Sequence, residues 1–156
     1  MLKINKIISG GQTGADRAAL DFAIESNIPH GGWIPNGRKA EDGMIPDKYH
    51  LQEMKTADYP KRTEQNVIDS DGTLIVSHGK LTGGSLLTKK FAEKNNKPYL
   101  HIDMNVTQPV ARLILSWIEL YNIKILNVAG TRGSKDSAIY PAVMDVLKAT
   151  FDESER

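Results

Sequence analysis

Short apolar or β-branched runs alternate with amphipathic stretches along the whole of this chain, and that alternation limits the fold more than any other feature. The runs are Lys6–Ser9, Gly32–Ile34, Thr73–Ser77, Tyr99–Asp103 and Ile125–Ala129. Most end in glycine, proline or a small polar residue, as strands do. Between them, apolar residues recur at three- and four-residue spacing: Ala18, Ala19, Phe22 and Ala23; Leu86, Leu87, Phe91 and Ala92; Val110, Leu113, Ile114, Trp117 and Ile118; Val143, Val146 and Leu147. That spacing predicts helices. Pro98 separates the helix ending at Asn95-Asn96-Lys97 from the strand after it. Strands alternating with helices predict an α/β fold with a parallel sheet covered on both faces.

The chain has 156 residues, the size of one ordinary domain, expected over 1–152 with a frayed tail at 153–156. Its net charge is +1, so no overall charge drives it onto nucleic acid or a membrane, and any anion site must be local. There is no cysteine, which excludes disulfides, thiolate metal sites and a cysteine nucleophile. No apolar run has the ~18 residues of a membrane span, and the N-terminus does not read as a signal peptide. The expected compartment is the cytosol.

Three glycine-rich loops follow predicted strands. The first is Ser9-Gly10-Gly11-Gln12-Thr13-Gly14-Ala15-Asp16-Arg17. Glycines let a backbone approach a ligand closely, and amides at a helix start favour an anion. The alternative is a tight turn in which Thr13 caps the helix. The spacing is neither the dinucleotide fingerprint nor the P-loop. The second loop, Ser77 to Ser85, repeats the same physics with Gly83, Gly84, Ser85 and Thr88; its Lys80 either contacts a phosphate or is solvated. The third, Asn127 to Ser134, carries Gly130 and Arg132, whose guanidinium either forms a bidentate pair with a phosphate or lies on the surface.

One stretch breaks the rhythm. Asn36 to Lys61 contains Gly37, Gly43, Pro46 and Pro60 with charges throughout, the mark of a functional or disordered loop. Its Arg38, Lys39, Glu41 and Asp42 are either a lid or solvated charges. Arg62, Thr63, Glu64 and Asn66 open the next helix. Asp69 and Asp71 flank Ser70 in a turn, where capping is favoured over metal binding. The four histidines are scattered without metal-ligand spacing, and Trp33 and Trp117 read as packing residues, Trp33 lying where it could border a pocket.

Taken in order, Ile8 to Asp21, Gly31-Gly32-Trp33-Ile34-Pro35 with Gly37-Arg38, Ala40-Glu41-Asp42-Gly43, Arg62-Thr63-Glu64-Gln65-Asn66-Val67, Asp69-Ser70-Asp71, Gly83-Gly84-Ser85 with Leu87-Thr88, and Leu126 to Gly130 resemble the molybdenum carrier proteins. These are a circularly permuted, YpsA-related branch of the SLOG, or lysine-decarboxylase-like, superfamily. The resemblance runs nearly end to end. It implies a Rossmann-like sandwich with sheet order 2-1-5-3-4, all parallel, because the last βα unit would correspond to the first of unpermuted relatives. The three glycine loops would then meet at one crevice.

The resemblance also implies molybdenum cofactor, a phosphate-bearing pterin, as cargo. Superfamily members of the cytokinin-activating type are phosphoribohydrolases. Arg62 resembles their arginine and Gly83-Gly84-Ser85 their glycine turn, but Thr88 stands where their acid would be. A threonine cannot supply that carboxylate. The reading is therefore a binding or carrier protein without a catalytic residue. The ligand-binding residues are Gly10, Gly11, Gln12, Thr13, Gly14, Asp16, Arg38, Arg62, Gly83, Gly84, Ser85, Thr88, Gly130 and Arg132. The alternatives are a nucleotide N-glycosidase, with Asp16 or Glu41 as its acid, and a sensor of a nucleotide-derived signal. The expected partner is a small phosphorylated ligand, not nucleic acid or membrane. Relatives form oligomers, and the helix around Trp117, Leu120 and Tyr121 offers either an interface or a buried face.

Overall fold

In the computed structural model, which describes residues 2–156, there are nine strands and five helices, alternating as expected except between α1 and α2, where five short strands follow one another. They are β1 (Lys6–Ile8), α1 (Ala15–Glu25), β2 (His30–Gly31), β3 (Trp33–Ile34), β4 (Lys39–Ala40), β5 (Gly43–Met44), β6 (Gln52–Glu53), α2 (Tyr59–Asp69), β7 (Gly72–Ser77), α3 (Gly83–Lys94), β8 (Tyr99–Asp103), α4 (Val110–Leu120), β9 (Ile125–Gly130) and α5 (Ile139–Ser154). Five form the central sheet in the order β2-β1-β9-β7-β8, all parallel. Counted along the chain among themselves, these five strands have the order 2-1-5-3-4. The last strand lies between the first and third, so chain direction across the sheet reverses there. That is where a crevice opens at the carboxyl edge of such a sheet.

Strand alternation sorts the two faces of the sheet. Leu74 and Val76 of β7, with Leu126 and Val128 of β9, are fully buried in the main core, with Ala15, Ala19, Ile114, Ile139, Val143 and Leu147. That core fills the space between the sheet and α1, α4 and α5. The opposite face, under α2 and α3, carries Thr73, Ser77 and Asn127, all buried. Asn127 Nδ2 donates to Thr73 Oγ1 at 3.2 Å across the two central strands. The polar face marks where the helices leave room for something other than a hydrocarbon core.

Three expectations need correction. The second sheet strand is His30–Gly31, not Gly32–Ile34. Gly32 has φ +131°, and a Cβ there would meet the Ser9 carbonyl at 2.1 Å. The chain bends at this glycine, and Trp33–Ile34 pairs instead with β6 in a separate two-stranded parallel sheet. The stretch from Asn36 to Lys61 is not an irregular loop: it contains the β4–β5 hairpin, β6 and the start of α2. Ile34, Ile45, Tyr49 and Leu20 of α1 form a second small core beneath it. The tail is helical through Ser154, whose Oγ donates to the Phe151 carbonyl, because Phe22 and Phe151 pack with ring centres 5.1 Å apart and hold the end of α5 down.

Asp71 has the turn role expected of it. Its Oδ2 accepts from the amides of Lys124 and Ile125 at 3.0 and 2.8 Å, fastening the start of β9. Asp69 accepts from Trp33 Nε1 at 2.7 Å. Trp117 is buried, whereas Leu120 and Tyr121 at the end of α4 are exposed. No described helix is long and apolar enough to cross a membrane.

Candidate functional site

A cavity of about 260 Å³ opens at the carboxyl edge of β1, β9 and β7, beneath α2 and α3. It is small for a site that must enclose a whole drug-sized ligand, so part of any nucleotide would project from it. Its lining contains four basic side chains, Arg62, Lys80, Arg132 and Lys135, and one acidic one, Asp16. A chain that is nearly neutral overall thus concentrates positive charge at this hollow.

Arg62 is the deepest of the cations. It comes from the first turn of α2, is only 8 % exposed, and lies across Gly10. Its Nη1 donates to the Gly10 carbonyl at 2.7 Å and is 3.6 Å from Asp16 Oδ2. Its Nε is buried and has no hydrogen-bond partner among the described residues. A buried, unsatisfied guanidinium nitrogen costs free energy, and such orphans in folded proteins call for an explanation.

Asp16, in the first turn of α1, accepts the Gln12 amide at 3.1 Å. Burial pushes its carboxyl up to about 6, against the pull of Arg62, the Gln12 amide and Arg17. A carboxyl beside an arginine usually titrates lower than normal, so desolvation outweighs the ion pair here. A perturbed acid in a cleft is characteristic of functional sites.

The three glycine loops meet at this cavity, but they contribute differently. Of the residues singled out from the sequence, Gly10, Gln12, Asp16, Arg62, Gly84, Ser85, Thr88, Gly130 and Arg132 line it. Gly11, Thr13, Gly14, Arg38 and Gly83 do not. Gly11 faces the second core, where a Cβ would meet Leu51, Ile34 and Ile45 at 3.0–3.2 Å. Gly14 permits close approach of the first and third loops: a Cβ would lie 2.4 Å from the Thr131 carbonyl. Thr13 does not cap α1. Its Oγ1 donates to Glu41 and accepts from the Gly133 amide at 3.0 Å. Arg38 turns away to the carbonyls of Ile45, Pro46 and Tyr49 at 3.0–3.3 Å.

Four amides of the first loop are already engaged within the protein. Those of Gly11, Gln12 and Thr13 donate to Ser9 Oγ, Asp16 Oδ2 and Gln12 Oε1, and that of Ala15 to the Thr131 carbonyl. The picture of three loops all pointing amides at one anion therefore does not hold. The start of α3 is different. No side chain caps it, and the first amides of a helix have no partner within the helix. Gly84 has open space where a Cβ would be, and Lys135 Nζ lies 3.1 Å from the corresponding point at Gly83. Thr88 Oγ1 donates back to the Gly84 carbonyl at 2.9 Å, so the position that resembles the hydrolases' acid carries only a bonded hydroxyl.

Lys135, Tyr59 and Asn127 also line the cavity and were not singled out as binding residues. Lys135 follows the third loop by one residue, and nothing in its local pattern distinguishes it from a solvated lysine. Asn127 did carry a signal: a polar residue at the centre of an otherwise apolar strand.

The model of the circularly permuted YpsA SLOG family matches residues 7–151. A crystal structure of a protein named "Putative molybdenum carrier protein", from Syntrophus aciditrophicus SB, is 60 % identical and covers 95 % of each chain with a TM-score of 0.93. An (E)-4-hydroxy-3-methyl-but-2-enyl diphosphate reductase aligns over 93 % of this chain and 59 % of its own at 11 % identity and TM-score 0.40, a likeness too slight to bear on function. No curated protein matches. The fold, the order of the motifs and the match across nearly the whole length agree: the chain belongs to the circularly permuted YpsA SLOG family.

Proposed function

We propose that this protein is a cytosolic binding or carrier protein for a small ligand that joins a phosphate to a nucleotide-like or pterin ring, with molybdenum cofactor as the candidate cargo. The observation that carries this reading is Arg62, a nine-tenths buried guanidinium in the lining of a cavity that gathers three further cations. The uncapped start of α3 and the lysines at 80 and 135 give an anionic group its charge-assisted hydrogen bonds, each contributing roughly 1.5–3 kcal/mol net. The name of the 60 % identical relative supports the choice of cargo.

Carriage demands affinity without turnover. Thr88 favours that over N-glycosidic cleavage, because it supplies no carboxylate at the position where the hydrolases have one. Native mass spectrometry of the protein taken from its source cells tests the ligand directly: a co-purifying phosphorylated heterocycle is expected. Incubation with nucleoside monophosphates tests the chemistry, with no free base expected. Sustained base release that disappears in Asp16→Ala would overturn the carrier reading in favour of an enzyme.

A further inference from the structure

Outside the cavity, the turn of the β4–β5 hairpin is tied to two of the glycine loops at once. Glu41 Oε1 accepts from Thr13 Oγ1 of the first loop and from the Ser134 amide of the third at 2.9 Å. Its Oε2 accepts from Ser134 Oγ at 2.6 Å and lies 3.4 Å from Arg132 Nε. The Glu41 amide donates to Gln12 Oε1 at 2.9 Å. Next to it, Asp42 takes a bidentate pair from Arg17 at 2.9 and 3.0 Å, and Arg17 Nε donates to the Gly11 carbonyl at 2.8 Å. These donors hold the Glu41 carboxyl below its ordinary range, Ser134 and Thr13 first.

Of the residues joined to Glu41, Gln12 and Arg132 also line the cavity, and Arg132 is the one that carries a charge. Glu41 Oε2 stands on the Nε side of Arg132, whose side chain remains half exposed. The two Nη nitrogens are left for another acceptor. An arginine held at Nε presents the paired Nη edge as a fork that matches two oxygens of one phosphate or carboxylate. A free arginine would first have to give up rotamer freedom to adopt that pose.

We propose that Glu41 is a positioning residue for ligand binding: it pins the Nε of Arg132 so that the guanidinium meets an anionic group at the cavity mouth. This rests on the reading of the cavity as an anion site. The test is a titration of wild type, Glu41→Gln, Arg132→Ala and the double variant with inorganic pyrophosphate, followed by amide NMR. Glutamine keeps an acceptor for Thr13 and Ser134 but loses the charge that holds Arg132. Glu41→Gln is expected to weaken pyrophosphate binding about fivefold, the scale of a coupled pair. In the Arg132→Ala background it should have no further effect. The Arg132 Nε–H resonance, sharp in the wild type, should broaden or shift in Glu41→Gln while the melting temperature moves by less than about 4 °C. Equal weakening in both backgrounds would assign Glu41 a general structural role and overturn the proposal. Tighter binding by Glu41→Gln would make Glu41 a competitor of the ligand, and would also overturn it. If wild type binds no pyrophosphate while nucleotides bind, the proposal fails and the carrier reading stands; if neither binds, both fail.

Discussion

Arg62 Nη1 occupies the space that a Cβ on Gly10 would need: a methyl carbon at that position would lie 1.4 Å from the nitrogen. The glycine at the end of β1 therefore serves close approach by a side chain rather than a special backbone angle. Gly10→Ala must push the guanidinium off its seat. Overpacking of this kind costs about 1–3 kcal/mol, and the displaced cation also loses the Gly10 carbonyl. We expect urea denaturation to show a loss in that range and calorimetry to show pyrophosphate affinity reduced at least about tenfold, one hydrogen-bonded charge being worth that much.

Gly11 and Gly84 look alike in the sequence and differ in the structure. Gly84→Val places its side chain in open space at the cavity, in the first turn of α3. It should leave the melting temperature within about 3 °C of wild type and weaken pyrophosphate binding about tenfold by blocking the amides. Gly11→Val forces a β-branched residue to φ +72° against Leu51, Ile34 and Ile45. It should destabilise the fold by roughly 2 kcal/mol or more. Thermal melts and calorimetry on the two variants separate the outcomes; the reverse pattern would relocate the site to the first loop.

The raised Asp16 carboxyl makes both stability and binding depend on pH. In the unfolded chain it titrates near 3.8, and in the fold near 6. Between those values the folded state holds the proton more firmly, so stability falls as pH rises and levels off above about 6. The shift corresponds to about 3 kcal/mol, an order-of-magnitude figure. Wild type should therefore lose stability between pH 4 and pH 7 by that much relative to Asp16→Asn, which lacks the titration. Ionised Asp16 also competes with an anion for Arg62, 3.6 Å away. Pyrophosphate should bind the wild type more tightly at pH 5.5 than at pH 7.5, after correction for its own ionisation, and the difference should vanish in Asp16→Asn.

What could be read before the structure, and what could not, follows from the range of the interactions involved. The α/β alternation was legible because it rests on repeated local patterns, whereas the sheet order came only from what the family resemblance of an ordered set of motifs implies. The polar face of the sheet was legible in principle from Thr73, Ser77 and Asn127, since strand period fixes which residues share a face. The bend at Gly32 was not, because its cause is a backbone contact with Ser9, 23 positions away. The same holds for Thr13 and Glu41, which meet only after the hairpin packs over the first loop. Lys135 was invisible because a rim lysine has no local signature. Glycine loops announce that a backbone will turn; they do not say whether the amides they expose will face a ligand or the protein's own carboxylates.

Arg38 tests the last of those distinctions. It stands beside Gly37 in a motif shared with the family resemblance and was expected to bind the ligand. In the structure it has φ +54° and gathers the carbonyls of Ile45, Pro46 and Tyr49 around its guanidinium. Those carbonyls belong to the segment covering Leu20 and Ile34, so the cation organises the roof of the second core. Arg38→Ala removes charge-assisted bonds worth roughly 1.5–3 kcal/mol each and leaves the three oxygens to partners elsewhere. We expect a loss of about 2 kcal/mol in chemical denaturation, with pyrophosphate affinity within about twofold of wild type, since the cavity cations are untouched. The hairpin tip should stay in place because Asp42 remains paired with Arg17. A variant that folds with wild-type stability but binds ten times more weakly would return Arg38 to the ligand site.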